Sequence, residues 1–191
     1  AHKSKVRFYT GHTVWYARKE NDIFELRCSS KEQQVQLFCS ALILCTGAFE
    51  IPTIVPGWTL PGVTTIGATQ TMVRRYGVIP KGRVLIAGNG PLGLQLAHEM
   101  LKLGKNQITL TERAKFNFGF SLFRTAFYSP QLFFKGLSYR LTAMKAQVPI
   151  MSGWELEKVL GSSKVEAVLI RNIKSNSKLE FPVDFIAAGE G

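Results

Sequence analysis

Residues 84–103 hold the feature that most limits how this chain can fold. The apolar run Val84-Leu85-Ile86-Ala87 enters Gly88-Asn89-Gly90-Pro91-Leu92-Gly93, and a stretch with helical character follows over 92–103, stopping at Gly104. A strand, a glycine-rich turn and a helix in that order serve one purpose well. Gly88 permits the tight turn, Gly90 lets a pyrophosphate approach the backbone, and Gly93 allows the helix to pack closely on the strand. The first N–H groups of the helix then point at any anion bound in the turn. Asn89, Pro91 and Leu92 fill the remaining loop positions and count with the glycines as candidate cofactor-binding residues. Another strand-length segment, 108–111, completes one βαβ unit of about 30 residues, the building block of a parallel sheet.

Glycine-rich turns are common, so the loop gains its weight from context. Glu112 stands nineteen residues beyond Gly93, at the end of the second strand. A carboxylate there accepts hydrogen bonds from an adenosine ribose. Arg113 is the complication, because an arginine at this place suits the 2′-phosphate of NADP. The expectation is NAD over NADP, since the Glu112 carboxylate repels the extra phosphate. The bland alternative is an exposed strand end that binds nothing.

The remaining chain arranges itself around this unit. Residues 13–17, 24–28 and 35–39 carry β-branched, aromatic or alternating apolar patterns, with turns at 21–22 and 29–32, and read as a β-meander. Residues 41–45 (ALILC) are apolar throughout, as expected of a strand covered on both faces. They end at Thr46-Gly47. A proline-punctuated stretch with a short helix over 67–76 follows. After the βαβ unit come an aromatic-rich stretch at 116–134, a helix near 136–145 and a strand at 148–151. A second meander (154–160, 165–171, 179–181) leads to an apolar strand at 183–188 and Gly189. The expected domains are therefore 1–50, 51–80 as linker and crossing helix, and 81–191 as the nucleotide-binding domain. The fold class is α/β, Rossmann-like, with a remnant of a second such domain.

Composition excludes several functions. Apolar residues make up 46% and charged residues 19%, a globular balance. There is no apolar run of the roughly 20 residues a membrane-spanning helix needs, and residues 1–10 lack the apolar core of a secretory signal. Cys28, Cys39 and Cys45 form no CxxC, so neither a disulfide scaffold nor a four-ligand zinc site is encoded, and a reducing, cytoplasmic setting is expected. His2, His12 and His98 show no metal-ligand spacing, and no metal is expected. Lys and Arg total 24 against 13 Asp and Glu, a net charge of +11. The basic residues are scattered, which fits a solvated cationic surface better than a nucleic-acid footprint.

The segment Leu42-Ile43-Leu44-Cys45-Thr46-Gly47-Ala48-Phe49-Glu50 resembles the ATG-type strand end of flavoproteins with two dinucleotide-binding domains, related to disulfide reductases, with Cys45 in place of the usual Ala. Pro56-Gly57-Trp58-Thr59-Leu60-Pro61-Gly62-Val63 and Gly67-Ala68-Thr69-Gln70-Thr71 are similar to a narrower group. It comprises opine oxidase A subunits, hydrogen cyanide synthase B subunits and dye-linked proline dehydrogenase α subunits, with the α subunit of heterotetrameric sarcosine oxidase more distant. Asp184 and Gly189 fit the second closing motif. The resemblance implies FAD in a first domain, a second nucleotide, and a partner subunit that oxidises an amine. It also implies that Thr46 and Gly47 lie near a flavin nucleotide. The CxxxxC pair of disulfide reductases is absent.

The repeated order of meander, apolar strand and glycine suggests two related modules. Gly88 precedes Gly189 by 101 positions, and the same distance before Gly47 falls near position −54. The chain thus reads as an internal piece of a longer oxidoreductase, expected to be inactive alone and open to self-association through uncovered strand surface. Its cofactor-binding candidates are named above; no catalytic acid or base is nominated. Two other classes stay open: a non-catalytic module holding ADP, ATP or NAD, and a basic interaction or nucleic-acid module.

Overall fold

The computed structural model describes residues 6–47, 49–105, 107–114 and 130–189. The chain divides into two compact units, Ala1–Ala48 and Phe49–Gly191.

The first unit is one antiparallel sheet in the order β1 (Thr13–Glu20), β2 (Ile23–Ser29), β3 (Gln34–Cys39). Asn21 and Asp22 both take positive φ, 47° and 63°, between the paired residues Glu20 and Ile23. That is the two-residue hairpin turn whose twist matches the strands, and among residues with a side chain Asn and Asp tolerate it best. The alternation of β2 and β3 puts Phe24, Leu26 and Cys28 on the same face as Val35, Leu37 and Cys39. The expectation for residues 41–45 is overturned: they form no strand, and Ile43 and Leu44 are exposed. The sheet ends at β3, and no strand among the described residues pairs with this run. An unbroken apolar pattern reports the environment a segment prefers, whereas a ladder needs neighbours to receive its N–H and C=O groups.

The second unit is built on a parallel sheet of order β4 (Val63–Thr64), β11 (Phe185–Gly189), β5 (Val84–Gly88), β6 (Ile108–Glu112), β7 (Ile150–Ser152). Residues 51–80 contribute β4 and helix α1 (Ile66–Tyr76) to it. Thr65 caps α1 by accepting the Ala68 N–H at 3.2 Å, and Gly77, at φ 64°, closes it in the left-handed region. Helix α2 (Pro91–Lys102) joins β5 to β6, and α3 (Pro130–Lys145) precedes β7. The aromatic stretch at 116–134 falls largely outside the described residues.

Each central strand is buried on both faces, and alternation sends its side chains into two cores. Val84 and Ile86 of β5 join Ile66, Val73, Leu96, Ala97, Met100, Leu110 and Ala143 under the helices. Leu85 and Ala87 join Ile186, Val159, Val168 and Ile170 under a second meander. That meander is β8 (Trp154–Leu160), β9 (Ala167–Asn172) and β10 (Lys178–Pro182), antiparallel in the order β10-β9-β8. The layers are therefore helices, parallel sheet and meander. At the amino end of the sheet, Asp184 accepts hydrogen bonds from the Arg83 main-chain N–H at 2.7 Å and from its guanidinium at 2.9 and 3.1 Å. These bonds, the guanidinium ones foremost, hold the Asp184 carboxyl well below the usual carboxylate range.

Candidate functional site

The register of β5 with its neighbours brings the loop to the carboxyl edge of the sheet, where Gly88 pairs with Gly189. A Cβ on Gly88 would collide with the Gly189 carbonyl oxygen, so this glycine is required by the closeness of two strands. Gly90 is the N-cap of α2, with φ 93° and ψ −173°, and makes no side-chain cap. That region of backbone space belongs almost entirely to glycine. A Cβ on Gly90 would meet nothing within 4 Å among the described residues, which leave the space before the α2 N-terminus open. On Gly93 a Cβ would come to 3.3 Å from Ile86 Cγ2 and 3.7 Å from Leu110 Cδ2. The three glycines thus divide the work as the motif requires: strand contact, open approach and helix packing. Pro91 takes the first turn of α2, where its missing N–H costs nothing, and Leu92 packs against the core on the helix side.

Asn89 turns its side chain sideways, and its Oδ1 accepts the Ala114 N–H at 2.9 Å. This bond ties the ends of β5 and β6 together. Glu112, closing β6, has partners that the sequence pattern does not reveal. Both its oxygens accept from Arg140 Nη1, at 3.3 and 3.4 Å, and Oε2 also accepts from Ser152 Oγ at 3.1 Å. The Glu112 and Arg140 side chains are 12% and 18% exposed, so this is a sheltered pair spanning β6, β7 and α3. Arg113 faces the other way, 59% exposed, with Nε 3.4 Å from Glu155 Oε2.

Arg113 lies on the wall of a cleft of about 440 Å³ at the same sheet edge, shared with Gly88, Asn89, Gly189, Trp154 and Arg171. Its charges balance locally, since Arg171 bonds Glu155 and lies 3.6 Å from Glu157. Thr111 also lines this cleft, 1% exposed, with a hydroxyl that has no hydrogen-bond partner among the described residues.

Thr46 and Gly47 belong to the first unit, where both are exposed; Gly47 has φ 84°, and a Cβ added to it would meet nothing within 4 Å. The described residues of that unit contain no strand, glycine turn and helix in succession, so they do not fit the pyrophosphate of a flavin dinucleotide. The second unit's loop does fit a dinucleotide: open backbone N–H groups, a positive-φ glycine and a carboxylate at the next strand end. His98 on α2 packs against Tyr139 with ring centroids 4.8 Å apart and planes tilted by 43°, and burial pushes its pKa down, which suits a packed neutral ring. Among the described residues no helix is long and apolar enough to cross a membrane.

Comparison with known proteins gives a consistent result. The family model described as pyridine nucleotide-disulphide oxidoreductase matches residues 1–179. The chain is 34% identical over 174 residues to the opine oxidase A subunit of Agrobacterium tumefaciens (strain Ach5), covering 86% of this chain and 34% of that protein. Over 131 residues it is 32% identical to the hydrogen cyanide synthase subunit HcnB of Pseudomonas aeruginosa, covering 69% of this chain and 28% of that one. It therefore spans about a third or less of the length of these curated relatives. Among solved structures, the thioredoxin reductase of T. acidophilum aligns with a TM-score of 0.65 at 15% identity, over 95% of this chain and 52% of that one. A likeness at that identity speaks to the fold alone.

Proposed function

We propose that this chain, which belongs to the pyridine nucleotide-disulphide oxidoreductase family, supplies the nicotinamide-nucleotide-binding part of a flavin-dependent oxidoreductase acting on an amine or opine. The observation that carries the nucleotide half of this reading is Gly90: a glycine-only backbone conformation with open space before an uncapped helix N-terminus. A pyrophosphate placed there receives the first N–H groups of α2 and its partial positive charge. Glu112 then accepts the adenosine ribose hydroxyls, oriented by Arg140 and Ser152. Asn89 holds the loop against β6, and Arg113 borders the same edge. On this reading NAD is preferred to NADP. A bound nicotinamide would carry the hydride, while the chain's residues bind and orient it.

The amine or opine half rests on different support, the names of relatives that belong to opine oxidase and hydrogen cyanide synthase. It brings with it a second subunit that oxidises the substrate, and FAD as the cofactor of the larger protein. Thr46 and Gly47 would border that flavin only with a glycine loop supplied from elsewhere. Calorimetric titration of NAD into the purified chain tests the nucleotide half, and saturable one-to-one binding is expected. No heat at millimolar NAD, with the fold intact by circular dichroism, refutes it. For the other half, opine-dependent dye reduction by the larger protein with its partner is the measurement.

A further inference from the structure

The strand order reverses at β5: β6 and β7 lie to one side, β11 and β4 to the other. Ligands of open parallel sheets settle at the carboxyl end of such a switch point. Two helix N-termini stand there, and they are differently occupied. The α2 end carries no side-chain cap. The α1 end is closed by Thr65 and also by Glu50, whose Oε2 accepts the Gly67 N–H at 2.6 Å. The other carboxylate oxygen, Oε1, lies against Gly189, so closely that a Cβ on that glycine would collide with it. Gly189 is the residue paired with Gly88. A carboxylate thus stands beside the strand next to the nucleotide loop, with Oε1 free of hydrogen-bond partners among the described residues.

We propose that Glu50 determines which chemical group is accepted beside the pyrophosphate, and so favours dinucleotides over nucleoside triphosphates. This rests on the reading of residues 88–93 as a pyrophosphate loop. A ligand anchored at the α2 N-terminus sends its distal group towards β11. A third phosphate sent that way meets a negative charge, and the neighbouring helix N-terminus that would have welcomed it is already filled. A second ribose instead brings hydroxyl donors to the free Oε1. Glu50 touches no reacting atom on this account; its effect is on specificity.

The test compares ADP, ATP, ADP-ribose and NAD by calorimetry on the native full chain, on Glu50→Gln and on Glu50→Asp. The glutamine keeps a carbonyl for the Gly67 N–H and removes the charge, so its melting curve should overlay the native one. Its ATP affinity should rise about five- to tenfold, the size of effect expected of one nearby charge at a solvent-facing site, with ADP unchanged. Glu50→Asp, which draws the charge back by one methylene, should move the ratio of ATP to NAD affinity the same way by less. An unchanged ratio in both variants, with ADP still binding, overturns the role of Glu50 alone. If the native chain binds none of the four ligands, the loop reading falls and this inference falls with it.

Discussion

Replacing Gly90 by valine separates the ligand's needs from those of the fold. At φ 93° and ψ −173° the native backbone occupies a region that side-chain-bearing residues avoid, at a cost of about 1–3 kcal/mol. No steric clash with the described residues adds to it, because a Cβ at this position meets none of them within 4 Å. The melting temperature should fall by roughly 2–12 °C, taking about 2–4 °C per kcal/mol for a domain of this size. Affinity for NAD should fall further in relative terms. The new side chain fills the space before the α2 N-terminus and removes at least one charge-assisted hydrogen bond to phosphate, worth about 1.5–3 kcal/mol, or roughly ten- to a hundredfold. Gly93→Ala provides the contrast: its Cβ lands 3.3 Å from Ile86 Cγ2, inside the core and away from the open space. It should alter melting with little change in affinity once the folded fraction is accounted for. Scanning calorimetry and titration on the same samples read both quantities. If Gly90→Val melts lower but binds NAD as the native chain does, the loop is not where the pyrophosphate sits.

Three other outcomes are expected. Asp184→Asn should lower stability at neutral pH by about 0.5–1 kcal/mol, the pair being half-exposed and screened. Because the folded carboxyl titrates below the unfolded one, the native advantage is full above the ordinary aspartate pKa of about 4 and shrinks as the pH falls below it. Melts between neutral pH and pH 2 should show the two curves converging; divergence on acidification would contradict the sign. Competition titrations should find NAD tighter than NADP, with Glu112→Gln narrowing the gap. Tighter NADP binding to the native chain would assign the ribose pocket to Arg113 instead. Finally, the purified chain mixed with FAD should show no stoichiometric flavin absorbance after desalting, since the first unit offers no glycine loop among its described residues. A yellow protein would refute that.

The loop is the most legible part of the molecule. Gly88, Gly90 and Gly93 sit between an apolar strand and a helix, so their spacing read in that context identifies the turn, the helix start and the packing contact, although the strand residue that Gly88 touches, Gly189, lies 101 positions away. The meanders are legible for a similar reason: period-2 alternation and turn residues such as Asn21-Asp22 act over a few positions. The run at 41–45 misleads, because apolarity without a period does not say whether neighbouring strands are present to pair with it. The surroundings of Glu112 are hidden differently. Arg140 and Ser152 lie 28 and 40 positions downstream and meet it only through the parallel register of β6 with β7 and the docking of α3. Glu50 is hidden for the same reason, lying 139 positions from Gly189 in the chain.

The parallel sheet of the second unit tapers: five-residue strands at its centre, three residues in β7 at one margin and two in β4 at the other. A margin that short offers an incoming chain almost no row of unpaired amides to template on. The outer strands of the first unit's sheet are eight and six residues long, with Trp15 and Phe38 exposed on them. At high concentration the parallel sheet should therefore resist growth at its margins, whereas the outer strands of the small sheet should be a place where copies adhere edge to edge.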